Sequence, residues 1–235
     1  MTVAAVILAA TEESALADAD GQPRVRRLVD AAWSGGAVPV IVVAPDTAGA
    51  VATALAGSPA TLAEPAPKTG GPVGQIARGI DVAHSQVNET DAALVWPVRL
   101  CWVDPETVTS LIEAHGVRTG VLRPAYEGKP GWPIVLPFSA LEAFRHLRAD
   151  RGPDELVEDL LGGRVSAHVL ELGDPGVTHD GSVSRSELPA YLGPPEPAGG
   201  HVHEWGAAAA DRPDEGPLEG PSLAPYGQAD PDRPG

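Results

Sequence analysis

VAAVILAAT, residues 3–11, is an apolar run with no polar alternation. A strand with one wet face would alternate, so a run of this kind suits a strand covered on both faces of a parallel sheet. A second such run, PVIVVAP at 39–45, follows RVRRLVDAAW at 24–33, where Val25, Leu28, Val29 and Ala32 recur at helical spacing and Gly35-Gly36 ends the helix. Strand, helix and strand in that order form a crossover unit, and the unit sets the expectation for the rest: a mostly parallel sheet with helices on both faces.

The alternation continues along the chain. Residues 47–55 read as a helix, 60–63 as a weak strand, 74–84 (GQIARGIDVAH) as a helix after a Gly-Gly-Pro turn, and 91–97 (DAALVWP) as a strand. A helix is expected over 105–114, with Asp104 as its N-cap and Pro105 at its first position. Strands are expected at 119–123, 134–136 and 167–172, and helices at 139–148 and 154–161, while 12–23 reads as a polar loop. From about Gly193 the chain turns to Pro, Gly and acids with little to bury, which predicts a disordered tail over 193–235 behind a domain over 1–192. In sheets of this kind ligands sit at the carboxyl ends of the strands.

Composition narrows the function classes. A formal net charge of -16 argues against nucleic acid or an anionic membrane as partner, because both recruit basic patches. The chain has two lysines, Lys68 and Lys129, which is sparse for a protein that handles phosphates. One cysteine, Cys101, leaves no internal disulfide and no cysteine-based zinc site, and points to a reducing, cytoplasmic compartment. Its apolar neighbourhood reads as packing, with no base nearby in sequence to activate a thiol. The apolar run at 3–10 lacks a basic flank and meets Glu12 and Glu13 at once, so it does not read as a signal peptide, and no stretch approaches a membrane span.

Three segments, in order, resemble the MobA/MocA-like NTP transferase family. VAAVILAAT is similar to that family's first strand, which ends in Leu-Ala-Ala-Gly and runs into a Gly-rich loop. PAYEGKPGWPIVL (124–136) is similar to its Pro-x-Tyr-x-Gly-x-x-Gly-His-Pro followed by a strand, with Pro124, Tyr126, Gly128, Gly131 and Pro133 in register. ADRGPDELVEDL (149–160) looks like its Gly-Asp-x-Gly-x-Arg helix start. GGPVGQIARGI (70–80) and VDPETVTSLIEAH (103–115) match a glycine-led helix and the helix after the metal loop. The resemblance covers residues 3–192 and implies a three-layer α/β/α domain of the GT-A nucleotide-binding type. It further implies transfer of a nucleotidyl group from GTP or CTP to a phosphorylated acceptor such as molybdopterin, assisted by a magnesium ion held at two acidic sites.

Carried over position by position, the resemblance places the nucleotide at Leu8, Ala9, Ala10, Gly71 and Arg99. It places the acceptor at Tyr126, Gly128, Gly131 and Trp132, and a metal ligand at Asp180. Three departures accompany it. The loop TEESALADADGQPR (11–24) carries Glu12, Glu13, Asp18 and Asp20 in place of the family's glycines and cations, and those acids would repel a phosphate chain. Arg99 falls where a magnesium-binding Asp is expected; a cation cannot ligate a cation, so Arg99 either contacts phosphate directly or is a surface residue left by a decayed site. HDGSVSRSELPAYL (179–192) replaces the closing acidic motif: Asp180 stands in if the register slips by two, Ser182 and Ser184 take the acidic positions if it does not, and Glu187 fits the later Glu. Trp132, in place of the family's His, either stacks on a base or covers its loop. His201, His203 and Glu204 have a metal-compatible spacing inside the expected tail. Two functions follow: a nucleotidyltransferase in which magnesium is in doubt, or a catalytically inactive relative that binds a protein partner. A sugar-nucleotide or phospholactate-type transferase on the same fold is a third.

Overall fold

The computed structural model describes residues 2–163 and 165–194. The expectations made for the tail, with His201, His203 and Glu204 among them, therefore lie outside the described residues.

β1 (Thr2–Leu8) pairs in parallel on both edges, with β2 (Val40–Val43) on one side and β4 (Thr90–Pro97) on the other. Residues 3–7 are all buried, as a strand with neighbours on both edges and helices on both faces requires. β3 (Ala60–Ala63) extends the parallel set beyond β2. On the far side, β7 (Ile134–Pro137) runs antiparallel to β4, with Val95 opposite Ile134. β5 (Val121–Tyr126) runs antiparallel to β7, makes a tight hairpin with β6 (Lys129–Pro130), and carries β8 (Ala167–Glu171) in parallel on its other edge. The order is β3-β2-β1-β4-β7-β5-β6 with β8 on β5. Only β6 and β7 oppose the common direction, so the sheet is mixed and mostly parallel.

Two helix groups flank this sheet. α2 (Arg24–Ser34) packs with α5 (Pro105–Val117), and α4 (Gly71–Gln86) packs with α6 (Leu141–Arg145) and α7 (Pro153–Leu161). α2 turns Val25, Leu28, Val29 and Ala32 into the core, the positions its spacing picks out. α5 begins as expected, with the Asp104 side chain accepting from the Glu106 amide.

The structure differs from the sequence reading at several ends. β1 stops at Leu8, and the expected polar loop contains a short helix, α1 (Glu12–Leu16), closed by a reciprocal Thr11–Ser14 cap. α3 (Ala50–Ala54) starts three residues late because the Asp46 carboxylate accepts from the Val51 and Ala52 amides and so fixes where the helix begins. The expected helix at 139–148 is a 3-10 turn, Phe138–Ala140, followed by the single turn of α6. Phe144 is its one buried residue, too little to hold further turns. No helix among the described residues is long and apolar enough to cross a membrane.

The segment after β8 ties the two halves of the sheet together. Its Asp174 is fully buried and accepts from the Asp104 amide at 2.8 Å, the Thr107 hydroxyl at 2.7 Å and the Gly176 amide at 2.8 Å. Burial pushes its carboxyl above the usual carboxylate value although all three donors pull it down. Beyond it, the Val177 carbonyl accepts from the Trp132 amide and the Arg99 carbonyl accepts from the Gly181 amide. Asp174→Ala strands three donors in the interior at once and should lower stability by about 3 kcal/mol. Urea unfolding checks this; a loss under about 1 kcal/mol would mean that water replaces the carboxylate.

Candidate functional site

The register of the central strands makes the site. Leu8 pairs with Val43 on one side and Pro97 on the other, so three neighbouring strands end at one level and their outgoing loops diverge around a space. That space is a cavity of about 560 Å3, within the range of about 300–1,000 Å3 usual for small-molecule sites. Leu8, Ala9 and Ala10 line it from the end of β1, Val43 and Pro45 from β2, and Pro97, Val98 and Arg99 from β4. The loop after β3 adds Pro65, Ala66 and Lys68; α4 adds Gly71, Pro72 and Gln75; Ser14 and Pro153 close the rim. All five residues assigned to the nucleotide from the sequence, Leu8, Ala9, Ala10, Gly71 and Arg99, thus surround one cavity.

Its electrostatics invert those of the molecule. In a chain of net charge -16 with only two lysines, the charged side chains that line the cavity are Lys68 and Arg99, both cationic. The acids of the first loop are not in the wall. Glu12 and Glu13 occupy the first turn of α1, which offers Ser14 to the cavity, and Asp18 belongs to the turn bridged to Pro23. The repulsion expected from that loop is therefore displaced from the lining.

Two local devices hold the wall. The Gln75 side-chain amide bonds to both the N–H and the C=O of Ala66 at 2.9 Å, pinning the loop after β3 to α4 as a paired strand would. Gly71 opens α4 at φ +54, where a side chain is strained, and a Cβ there would lie 1.8 Å from the Ala149 carbonyl oxygen.

Arg99 donates to Asp154 at 2.9 Å, and the other oxygen of the same carboxylate accepts from the Trp132 indole at 2.6 Å. Asp154 sits in the first turn of α7, where a negative charge is favoured. Sequence reasoning missed it and also Lys68 and Gln75. An acid next to a Pro-initiated helix start was the available signal for Asp154, but its partner lies 55 residues away.

The acceptor candidates gather around the β5–β6 hairpin and are not among the residues lining the cavity. Trp132 is buried with its indole on Asp154, so it covers its loop. The half-buried Tyr126 ring meets His179 edge-on at 6.2 Å. Gly128 lies in a turn whose amide, with that of Glu127, donates to the Glu171 carboxylate. Gly131 passes so close to the Val177 carbonyl that a Cβ would lie 2.1 Å from its oxygen. A side-chain link from this group to the cavity runs through Trp132, Asp154 and Arg99.

Asp180, the metal candidate, also lies outside the lining. Its Oδ1 accepts from the Ser182 amide and hydroxyl; these bonds, with the nearby Arg99 and Arg24 guanidinium groups, hold its carboxyl below the usual value. Glu187 serves as a cap, its carboxylate accepting from the Ser184 amide. Cys101 is buried, and burial pushes its thiol up, as suits a packing residue.

Residues 8–165 match the MobA-like NTP transferase domain, and the chain belongs to that family. No curated protein sequence matches it. Among solved structures, a nucleotidyl transferase from Methanothermobacter thermautotroptrophicus is similar at 20% identity over 72% of this chain and 87% of its own, with a TM-score of 0.59. The Rv0371C complex with manganese from Mycobacterium tuberculosis H37Rv is similar at 20% identity over 73% and 88%, with a TM-score of 0.57. The 4-diphosphocytidyl-2C-methyl-D-erythritol synthase from Anaerococcus prevotii DSM 20548 is similar at 10% identity over 76% and 91%, with a TM-score of 0.60. These likenesses show a shared α/β fold.

Gly71→Ala tests the close approach at the cavity mouth. It should cost at least about 1 kcal/mol, because the native φ does not suit alanine and the carbonyl of Ala149 must move. Urea titration of the variant measures the cost, and an unchanged midpoint would show that the turn relaxes freely.

Proposed function

We propose that the cavity at the ends of β1, β2 and β4 binds a nucleoside phosphate, and that the protein's reaction class is nucleotidyl transfer to a small phosphorylated acceptor. The observation that carries this reading is the convergence of Lys68 and Arg99 on an otherwise apolar, proline-walled cavity in a strongly acidic chain. An apolar wall suits a base and sugar, and paired cations suit phosphate oxygens. Leu8, Ala9, Ala10 and Gly71 bring backbone to the ligand, and Tyr126 and Gly128 on the β5–β6 hairpin mark the acceptor side, while Gly131 and Trp132 are buried and hold that loop. In the reaction an acceptor phosphate oxygen attacks the α-phosphorus of the triphosphate, the bond from that phosphorus to the bridging oxygen breaks, and pyrophosphate leaves. Molybdopterin is one acceptor of the required chemistry.

The family's chemistry brings a divalent ion, and the donors described here do not fit one. Asp154 accepts from Arg99 at one oxygen and from Trp132 at the other, and Asp180 Oδ1 accepts from the Ser182 amide and hydroxyl. Among the described residues no group of three or more His, Cys, Asp or Glu lies together. These observations favour a second reading, a relative that binds nucleotide without transferring it and acts through a protein partner.

Ala10 is an exposed lining residue, so Ala10→Trp fills the cavity mouth without disturbing the core. Calorimetric titration with CTP and GTP should give binding to the native protein and at least about a tenfold loss in the variant, corresponding to about 1.4 kcal/mol. Pyrophosphate release on addition of phosphorylated acceptors supports transfer. Binding without release supports the second reading, and equal affinity of the two proteins would remove the nucleotide from this cavity.

A further inference from the structure

Charge at the cavity specifies more than a nucleotide in general. Two cations line it, no acid does, and the carboxylate that touches one of those cations, Asp154, is paired with the Arg99 guanidinium. A magnesium ion would need oxygen ligands in an octahedral shell at about 2.1 Å. To offer the ion its Arg99-facing oxygen, Asp154 would bring the ion against the guanidinium that oxygen now faces.

We propose that the cavity takes a nucleoside mono- or diphosphate without a divalent ion, with Lys68 and Arg99 neutralising the phosphate and the ligand displacing Asp154 from Arg99. A nucleoside monophosphate carries about two negative charges near neutral pH, which two side-chain cations match, and a diphosphate carries about one more. A metal-free triphosphate carries more than they offset, in the field of an acidic protein. The Arg99–Asp154 pair can exchange partners because it is wet: the two side chains are 43% and 60% exposed, and such pairs hold weakly. Asp154 loses little on release, since the Trp132 indole still donates to its other oxygen. A diphosphate is also the linkage left after a nucleotidyl group joins a phosphorylated acceptor, so the preference is for the product's phosphate length over the substrate's.

This inference rests on the nucleotide reading of the cavity, and the test separates the two. The full chain is titrated with CMP, CDP and CTP, and with the guanosine series, in chelator and again in excess magnesium. CDP or GDP should bind at least as well in chelator as in excess magnesium, which draws the diphosphate into its own complex, and in chelator the triphosphate should bind at least about tenfold more weakly than the diphosphate. Lys68→Gln and Arg99→Gln, both at accessible positions, should each weaken diphosphate binding about tenfold, the usual effect of removing a charged hydrogen bond. Asp154→Asn removes the competing charge and keeps an acceptor for Trp132, so it should tighten diphosphate binding several-fold. Diphosphate binding only with magnesium, a preference for metal-free triphosphate, or an Asp154→Asn variant that binds no better would overturn the inference and leave the nucleotide reading standing. Absence of binding by every nucleotide under both conditions would overturn both.

Discussion

Everything in this molecule is arranged around the double pairing of β1. A strand hydrogen-bonded along both edges and covered on both faces has no exposure to water, so its five interior residues must all be apolar, and each larger one contributes about 1.5–3 kcal/mol by its burial. The same pairing sets the level at which Leu8, Val43 and Pro97 end. Because the chain leaves β1 toward β2 and returns across the sheet to β4, the loops from these strands part rather than pack, and the space between them is the cavity. Stability of the sheet and shape of the site are therefore consequences of one register.

That these three strands form the core of the sheet was legible in the sequence because burial on both faces leaves an unmistakable mark: runs without alternation at 3–10, 39–45 and 91–97. The start of α5 was legible for a different reason, since Asp104 and Pro105 act locally and a cap needs no distant partner. What escaped was decided at a distance or within a single turn. α1 is held by a reciprocal cap between Thr11 and Ser14, in a stretch whose charges suggest only a loop. α6 is shorter than its apolar pattern because one anchor, Phe144, is too little to extend it.

The site divides along the same line. Leu8, Ala9, Ala10, Gly71 and Arg99 could be named because each lies in a short motif whose order along the chain is characteristic, and the fold brings all five to one wall. Lys68 carried no such mark: it is an isolated cation in a short loop, and only the folding of that loop against α4 through Gln75 gives it a place. Asp154 shows the converse. Its role depends on Arg99 and Trp132, which sequence proximity does not supply, so an acid that looks free on paper is already committed to partners in the structure. The acidic first loop contributes Ser14 to the lining but none of its acids.

Gly71 and Gly131 each lie against the carbonyl of another segment, Ala149 in one case and Val177 in the other. Contacts of this kind are made by main chain, which every residue carries, and they forbid only the addition of a side chain at one place. The charged groups beside them are under no such restriction, for Lys68 and Arg99 reach solvent and can be exchanged without moving the backbone. Geometry and chemistry in this cleft thus rest on different groups: exchange at Lys68 or Arg99 changes what the pocket prefers to hold, while its outline at Gly71 is held by the close approach of Ala149.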